Sequence, residues 1–523
     1  MRTRAVWFIW VALMFGLYSS CEQSEPPVPN VVFILADDLG VNDLSYNNAD
    51  FYDTPHIDAL AANGTVFTNG YAAAAVCSPS RASIMTGQST AVHGITDWIG
   101  ARWGQDWGDN HPYTRLSPPD YQKQLDTTKQ TLAKLFKASG YSTFFAGKWH
   151  LGPVDSWPTN HGFDINKGGW DSGSPVGGYF TPYSNPNLED GPDGENLSMR
   201  LARETAQFIR TKSDQPFFAF LSFYAVHGPI QTTREKWKKY RQKAIEKGVQ
   251  PLGFGMERRL PIRLHQDNPI YAGLVEQMDD AVGLVIDELK RQGIYENTII
   301  IFTSDNGGVA SGDAYSTSNR PFRGGKGYQW EGGIRVPYII KSVADSSRRL
   351  DVPVSGQDFL PTLASMCQLD LSDDQIVDGV DLSPLWANNE ITDRPLFWHY
   401  PHYGNQGGDP VSMMRSGNMK LIYYWETEEV ELYDLSADRG ESRNLVKGRP
   451  AEVQKMKDQL FNWLENTQAG KPTENEAFDE GALQARREYI LNTLSLQLEN
   501  QRKNQLSISY QPDSTWWGSY VND

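Results

Sequence analysis

Three unbroken apolar runs decide what this chain can fold into: VVFIL at 31–35, PFFAFLSFY at 216–224 and NTIIIFT at 297–303. None alternates polar with apolar residues. A strand of that kind is buried on both faces, the situation of strands in a parallel sheet covered by helices on both sides. A fourth strand is expected over 141–146. Helical periodicity falls between the runs, at 54–64, 129–140, 198–212 and 272–292. Strand and helix in alternation predict an α/β domain, its mostly parallel sheet flanked by helices through right-handed crossovers.

Each run ends in polar residues. The first leads into Asp37 and Asp38, the second into His227, the third into Asp305 and Asn306, and the strand at 141–146 into Lys148 and His150. The C-terminal edge of an open α/β sheet is its usual ligand-binding edge. An Asx turn explains a single aspartate there; two adjacent carboxylates repel, and a bound cation is the economical reason for the pair. Asp37, Asp38, Asp305 and Asn306 form an all-oxygen donor set, which suits calcium or magnesium rather than zinc. Lys326 sits in the glycine-rich stretch 322–337, where backbone can approach a ligand closely. Taken singly, each histidine reads as a structural residue and each lysine as a solvated one.

The stretch AAAAVCSPSRASIMTGQ places Cys77 where a strand gives way to a helix. Pro79 suits a first helical turn, residues 80–86 read as a short helix and Gly87 as its stop. Arg81, four residues past the cysteine, can turn its fork of donors toward the same point. Cys-x-Pro-Ser-Arg resembles the signature of the type I, formylglycine-dependent sulfatases of the alkaline phosphatase-like superfamily. The run Gly147-Lys148-Trp149-His150 resembles their second signature, and the stretch His161-Gly162-Phe163-Asp164 a further family segment. The resemblance spans about residues 30 to 465, with four motifs in family order.

The resemblance implies a sulfuric ester hydrolase in which Cys77 is converted to formylglycine by a maturation enzyme. It implies one Ca²⁺ held by Asp37, Asp38, Asp305, Asn306 and residue 77. Arg81, Lys148 and Lys326 are implied as fixed positive charge, and His227, with Lys326 beside it, as the acid for the leaving oxygen. His150 is implied to deprotonate the second hydroxyl of the hydrated aldehyde, and Asp305 to serve as base for the first attack. Two other readings stand beside it. One is a phosphodiesterase or phosphonate monoester hydrolase of the same superfamily; the other is a glycan-binding surface lipoprotein without catalysis.

At 523 residues the chain exceeds a single core. The catalytic domain is expected over 30–390. A small α+β C-terminal subdomain follows at 391–470, with hairpin strands at 420–424 and 430–433 and a helix at 450–466. A helical and aromatic tail occupies 471–523. Arg2 and Arg4, followed by a short apolar core at 5–18, read as an export signal over 1–20. Tyr18-Ser19-Ser20-Cys21 resembles a lipobox, with Cys21 as lipidated mature N-terminus and 21–29 as tether; cleavage near Ser20 is the alternative. The expected location is the bacterial periplasm or outer membrane, with membrane contact only through that anchor. Cys77 and Cys367 are the other cysteines, so a disulfide framework is not expected.

A formal charge of −16, from 48 basic against 64 acidic residues, argues against wrapping nucleic acid. A sulfated substrate would need a locally basic pocket. The stretch 93–112, dense in Trp, Arg and His, reads as a loop, either a wall of the cleft or a self-packed surface loop, and 231–267 as an excursion near the cleft mouth. Trp98, Arg102, His161 and His402 are the expected substrate contacts. The expected substrate is a sulfated polysaccharide or its oligosaccharides, an algal glycan such as ulvan foremost.

Overall fold

The computed structural model describes residues 28–510 apart from 213, 345–346 and 373–374. The expected export signal, Cys21 with most of its tether, and the aromatic tail at 514–520 lie outside the described residues.

Eight strands form the central sheet: β1 (Asn30–Ala36), β2 (Thr65–Tyr71), β3 (Ser142–Gly147), β4 (Ile165–Lys167), β5 (Phe217–Ser222), β6 (Thr298–Ser304), β7 (Tyr338–Lys341) and β8 (Arg348–Ser355). Their order is β8-β2-β7-β6-β1-β5-β3-β4. β1 lies at the centre, parallel to β5 and β6. Its side chains alternate between two cores. Val32, Ile34 and Ala36 pack with helices Leu197–Lys212 and Pro269–Arg291; Val31, Phe33 and Leu35 pack with helices Cys77–Thr86 and Phe359–Met366. Burial on both faces, at about 1.5–3 kcal/mol per large side chain, explains why the run tolerates no polar residue.

Register matters most for the site. Ala36 pairs with Ser304, Leu35 with Ser222, and Ser222 with Gly147. The four strands therefore end at one level, and Asp37, Asp305 and Lys148 each follow directly. Gly147 carries φ +102°, and a Cβ there would stand 1.8 Å from the Ser222 carbonyl oxygen. Only glycine lets β3 approach β5 so closely at this point.

Four features differ from the sequence expectation. β7 enters antiparallel between β2 and β6. The stretch 93–112 holds a helix, Gly104–Asn110, within its loop, and 231–267 folds as helix Arg234–Lys247 plus a hairpin of Phe254–Glu257 and Leu260–Arg263. The helix behind the signature begins at Cys77 itself and closes at Gly87 in the left-handed region.

A second, four-stranded antiparallel sheet follows: Leu396–Tyr400, Val411–Ser416, Met419–Tyr424 and Val430–Asp434. One face packs on the large domain through Tyr71, Tyr328 and Trp330, the other on helix Pro450–Asn466 through Leu421, Leu432 and Leu460. Among the described residues no helix is long and apolar enough to cross a membrane.

Candidate active site

Asp37, Asp38 and Asp305 meet at the ends of β1 and β6, with one carboxylate oxygen of each within 4.8 Å of the others. All three are buried, and each has a cationic partner. Lys148 Nζ lies 2.7 Å from Asp37 Oδ2, Arg81 Nε donates to Asp305 Oδ2 at 2.7 Å, and Lys326 Nζ lies 2.9 Å from Asp38 Oδ2. Asn306 Nδ2 donates to Asp38 Oδ1 at 2.8 Å. Asp38 takes φ 63° and His150 φ 55°, left-handed conformations that are costly for residues with a Cβ and that cluster at functional sites.

The compensation is uneven. Burial raises Asp37 well above the usual carboxylate range even with Lys148 beside it. Burial would raise Asp38 too, but Lys326, His227 and Lys148 outweigh it and hold that carboxyl below its ordinary range. Asp37 Oδ1 and Asn306 Oδ1 are buried without a hydrogen-bond partner among the described residues. Buried oxygens without a hydrogen bond, beside three converging carboxylates, fit a hard divalent cation coordinated by oxygen.

Cys77 opens a helix whose N-cap, Val76, has no capping side chain. Its Sγ lies 3.5 Å from His150 Nδ1, while His150 Nε2 donates to the Ile99 carbonyl at 3.1 Å. Burial lowers His150 well below the usual histidine range, so the ring is neutral with Nδ1 as acceptor. Burial also raises the Cys77 thiol, despite Lys148 and Lys326 nearby. A protonated, buried thiol is a poor nucleophile. Arg81 is fixed from behind: Nη1 donates to the Lys148 carbonyl at 2.9 Å and to Ser222 Oγ at 2.7 Å.

Cys77 and His150 line a cavity of about 370 Å³ with His227, Lys326 and Trp98. His227 Nδ1 donates to the Gly228 carbonyl at 2.7 Å, which leaves Nε2 as the exchanging nitrogen, 3.7 Å from Asp38 Oδ2. Burial and Lys326 lower its pKa to about 4.

The sulfatase family model matches residues 29–369, well over half of the chain. The chain belongs to the sulfatase family. A second model, described as N-sulphoglucosamine sulphohydrolase, C-terminal, matches residues 325–470. This sulfatase is 31% identical to the N-acetylgalactosamine-6-sulfatase of Mus musculus over 404 residues, 72% of this chain and 69% of that protein. It is 30% identical to a sulfatase of Formosa agariphila over 518 residues, 83% and 88% of the two. Among solved structures, Ps i-CgsB in complex with k-i-k-neocarrahexaose matches with a TM-score of 0.68 at 24% identity, covering 91% of this chain and 99% of that one. The phosphonate monoester hydrolase of Agrobacterium radiobacter shares the fold at a TM-score of 0.58 and 20% identity, covering 85% and 99%. This sulfatase is a sulfuric ester hydrolase.

The sulfatase fold thus gathers ten sequence-nominated positions: Asp37, Asp38, Cys77, Arg81, Lys148, His150, His227, Asp305, Asn306 and Lys326. Of the four expected substrate contacts, only Trp98 lines the cavity. Arg102 is exposed and pairs with Asp106 at 3.5 Å. His161 is buried against Ser156 Oγ at 2.8 Å, and His402 against Thr96 Oγ1 at 2.8 Å. Asp171, Ser172, Asp313 and Gln406 line the cavity without having been nominated. Asp313 stands 3.9 Å from Lys326 and accepts from Gln406 Nε2 at 2.6 Å. All four sit in aperiodic polar loops, and no sequence signal separates them from solvent-facing neighbours.

Proposed function

We propose that this sulfatase removes sulfate ester groups from a sulfated polysaccharide or its oligosaccharides, with an algal glycan such as ulvan as the expected source. One observation carries the reading: a residue that is a poor nucleophile as a thiol shares one cavity with two neutral histidines and with Lys326, which pairs with one of three converging buried carboxylates. Relatives named N-acetylgalactosamine-6-sulfatase and a structural neighbour solved with a neocarrahexaose support a glycan substrate.

Asp37, Asp38, Asp305 and Asn306 would hold the divalent cation, Ca²⁺ being the expected ion, and residue 77 would join them. When bound, the cation supplies charge that polarises the sulfate oxygens. As a formylglycine hydrate, residue 77 would supply two hydroxyls on one carbon, chemistry that neither a thiol nor a serine offers. The other residues orient and move protons. Arg81 and Lys148 hold Asp305 and Asp37 in place, and Asp305 is the proposed base for the first attack. His150 Nδ1, the acceptor facing residue 77, would take the proton of its second hydroxyl as the bond from that carbon to the sulfate oxygen breaks, which releases sulfate and re-forms the aldehyde. Lys326 and His227 stand across the cavity; His227 Nε2 delivers a proton to the leaving oxygen, and an anionic ester beside it opposes the depression of its pKa. Fixed cations around a migrating negative charge need no reorganisation as the S–O bond breaks.

We further propose export, with Cys21 as a lipidated N-terminus, and maturation of Cys77 by a formylglycine-generating enzyme. Sulfate release from a panel of defined sulfated oligosaccharides, with an aryl phosphate diester as the contrasting arm, tests the reaction. Release of sulfate with little phosphodiester cleavage is expected; the reverse preference would overturn it.

A further inference from the structure

A second cavity, of about 670 Å³, meets the catalytic one at Asn405, which lines both. Its size is that of a site for a small ligand. One wall comes from hairpin residues Arg258 and Arg259, another from Trp107 and Tyr113, and the third from Arg486 and Arg487. The third wall belongs to residues beyond 470, which neither family model covers.

That C-terminal segment is firmly docked. Thr473 pairs with Ser117, Asn475 Nδ2 donates to the Thr114 carbonyl at 2.8 Å, and Asp479 N donates to the Pro112 carbonyl at 2.8 Å. Further on, buried Arg502 pairs with Asp267 at 2.6 Å. The segment therefore bridges the stretch around Trp107 and the hairpin excursion. A π turn at Ile490–Leu494 shapes its wall, a feature frequent at functional sites.

The lining of this cavity is locally basic. Four arginines line it against two carboxylates, Asp409 and Glu426, in a chain of net charge −16. Arg258 and Arg259 are both paired with Asp409, and Arg259 also with Glu426 at 2.6 Å. Arg486 and Arg487 have no carboxylate partner among the described residues; Arg486 stands 5.4 Å over the Tyr113 ring. Apolar Leu483 and Ile490 share the wall with the aromatic rings. Arginine forks bind sulfate or carboxylate, and apolar and aromatic surfaces suit the C–H faces of sugar rings.

We infer that this cavity is a distal subsite for a neighbouring anionic sugar unit of the same glycan chain whose sulfate ester lies at residue 77. It rests on the sulfatase reading and adds that the C-terminal segment makes the enzyme selective for chain length. The test compares kcat/KM on di-, tetra- and hexasaccharides of ι-carrageenan, ulvan and chondroitin sulfate, with 4-nitrophenyl sulfate as the short arm. The wild type is expected to favour a longer chain over its disaccharide by about tenfold or more. Arg486→Ala/Arg487→Ala should collapse that preference to within about twofold, mainly through KM, while Arg486→Lys/Arg487→Lys should restore part of it. Sulfate release without length preference, or a preference intact in the double alanine variant, would overturn the subsite alone. Failure to release sulfate from any of these oligosaccharides would overturn the proposed glycan substrate and the subsite with it.

Discussion

Lys326 Nζ lies 2.9 Å from Asp38 Oδ2, a buried ion pair between a glycine-rich loop and the end of the central strand, 288 residues apart. Asp38 in turn accepts from Asn306, so one carboxylate ties together three separate parts of the chain.

Lys326→Ala should therefore lower kcat by about 10²–10³-fold, the usual consequence of deleting one preorganised charge at a reacting centre. It should also destabilise the fold by roughly 3 kcal/mol, since the remaining buried carboxylate loses its partner. Steady-state kinetics and urea unfolding measure the two effects separately. A variant with both properties unchanged would show that Lys326 is a spectator.

Cation removal acts on stability as well as activity. Chelation should lower Tm, and Ca²⁺ should restore it, with a stabilisation of about 2.7 kcal/mol at a hundredfold excess over Kd. Asp37→Asn should abolish the response, because it removes charge from a carboxylate whose Oδ1 has no hydrogen-bond partner among the described residues. A Tm indifferent to chelator and to added Ca²⁺ or Mg²⁺ would rule out a bound ion in the folded protein.

The strand-end glycine offers a contrast. Gly147→Ala should cost at least about 2 kcal/mol and lower kcat, because a Cβ 1.8 Å from the Ser222 oxygen displaces the groups that hold Arg81. Gly140→Ala, at φ +84° with no neighbour within 4 Å, carries only the backbone strain and should cost about 1 kcal/mol. Thermal unfolding and kinetics of both variants check this; equal losses would show that crowding at Gly147 is unimportant.

Acid should weaken the protein through buried neutral histidines remote from the site. His399 Nε2 donates to the Gly470 carbonyl at 2.7 Å, and burial lowers its pKa to about 4. Between about pH 6.5 and 4 the unfolded chain binds the proton and the folded one does not, so stability falls as pH falls through that window. Buried Asp43 and Asp97, both raised to about 7 by burial, work in the opposite sense, so the comparison must be a difference. The advantage of wild type over His399→Gln should shrink by about 1–3 kcal/mol between pH 7.5 and 4.5. A gap constant across pH would contradict the assignment.

Much of this is legible in the amino-acid sequence alone. Unalternating apolar runs specify strands buried on both faces, and a strand's end is readable from where the run stops. Asp37, Asp305 and Lys148 could thus be placed on one edge, although their common level depends on register. The antiparallel insertion of β7 was not legible, because YIIK reads alike in either direction. His161 and His402 illustrate another limit. A histidine in a loop looks the same whether it faces a ligand or, as here, a serine or threonine hydroxyl. Arg486 and Arg487 gained meaning only when the C-terminal segment was seen lying across Trp107 and Arg258.

The proposed chemistry requires residue 77 to act as an aldehyde hydrate rather than as a thiol. The most direct test is mass spectrometry of the peptide carrying residue 77 from active protein, titrated against sulfate-ester turnover. Specific activity should scale with the formylglycine fraction and vanish in Cys77→Ala while the fold is kept. Full turnover by protein whose residue 77 is entirely cysteine would contradict it.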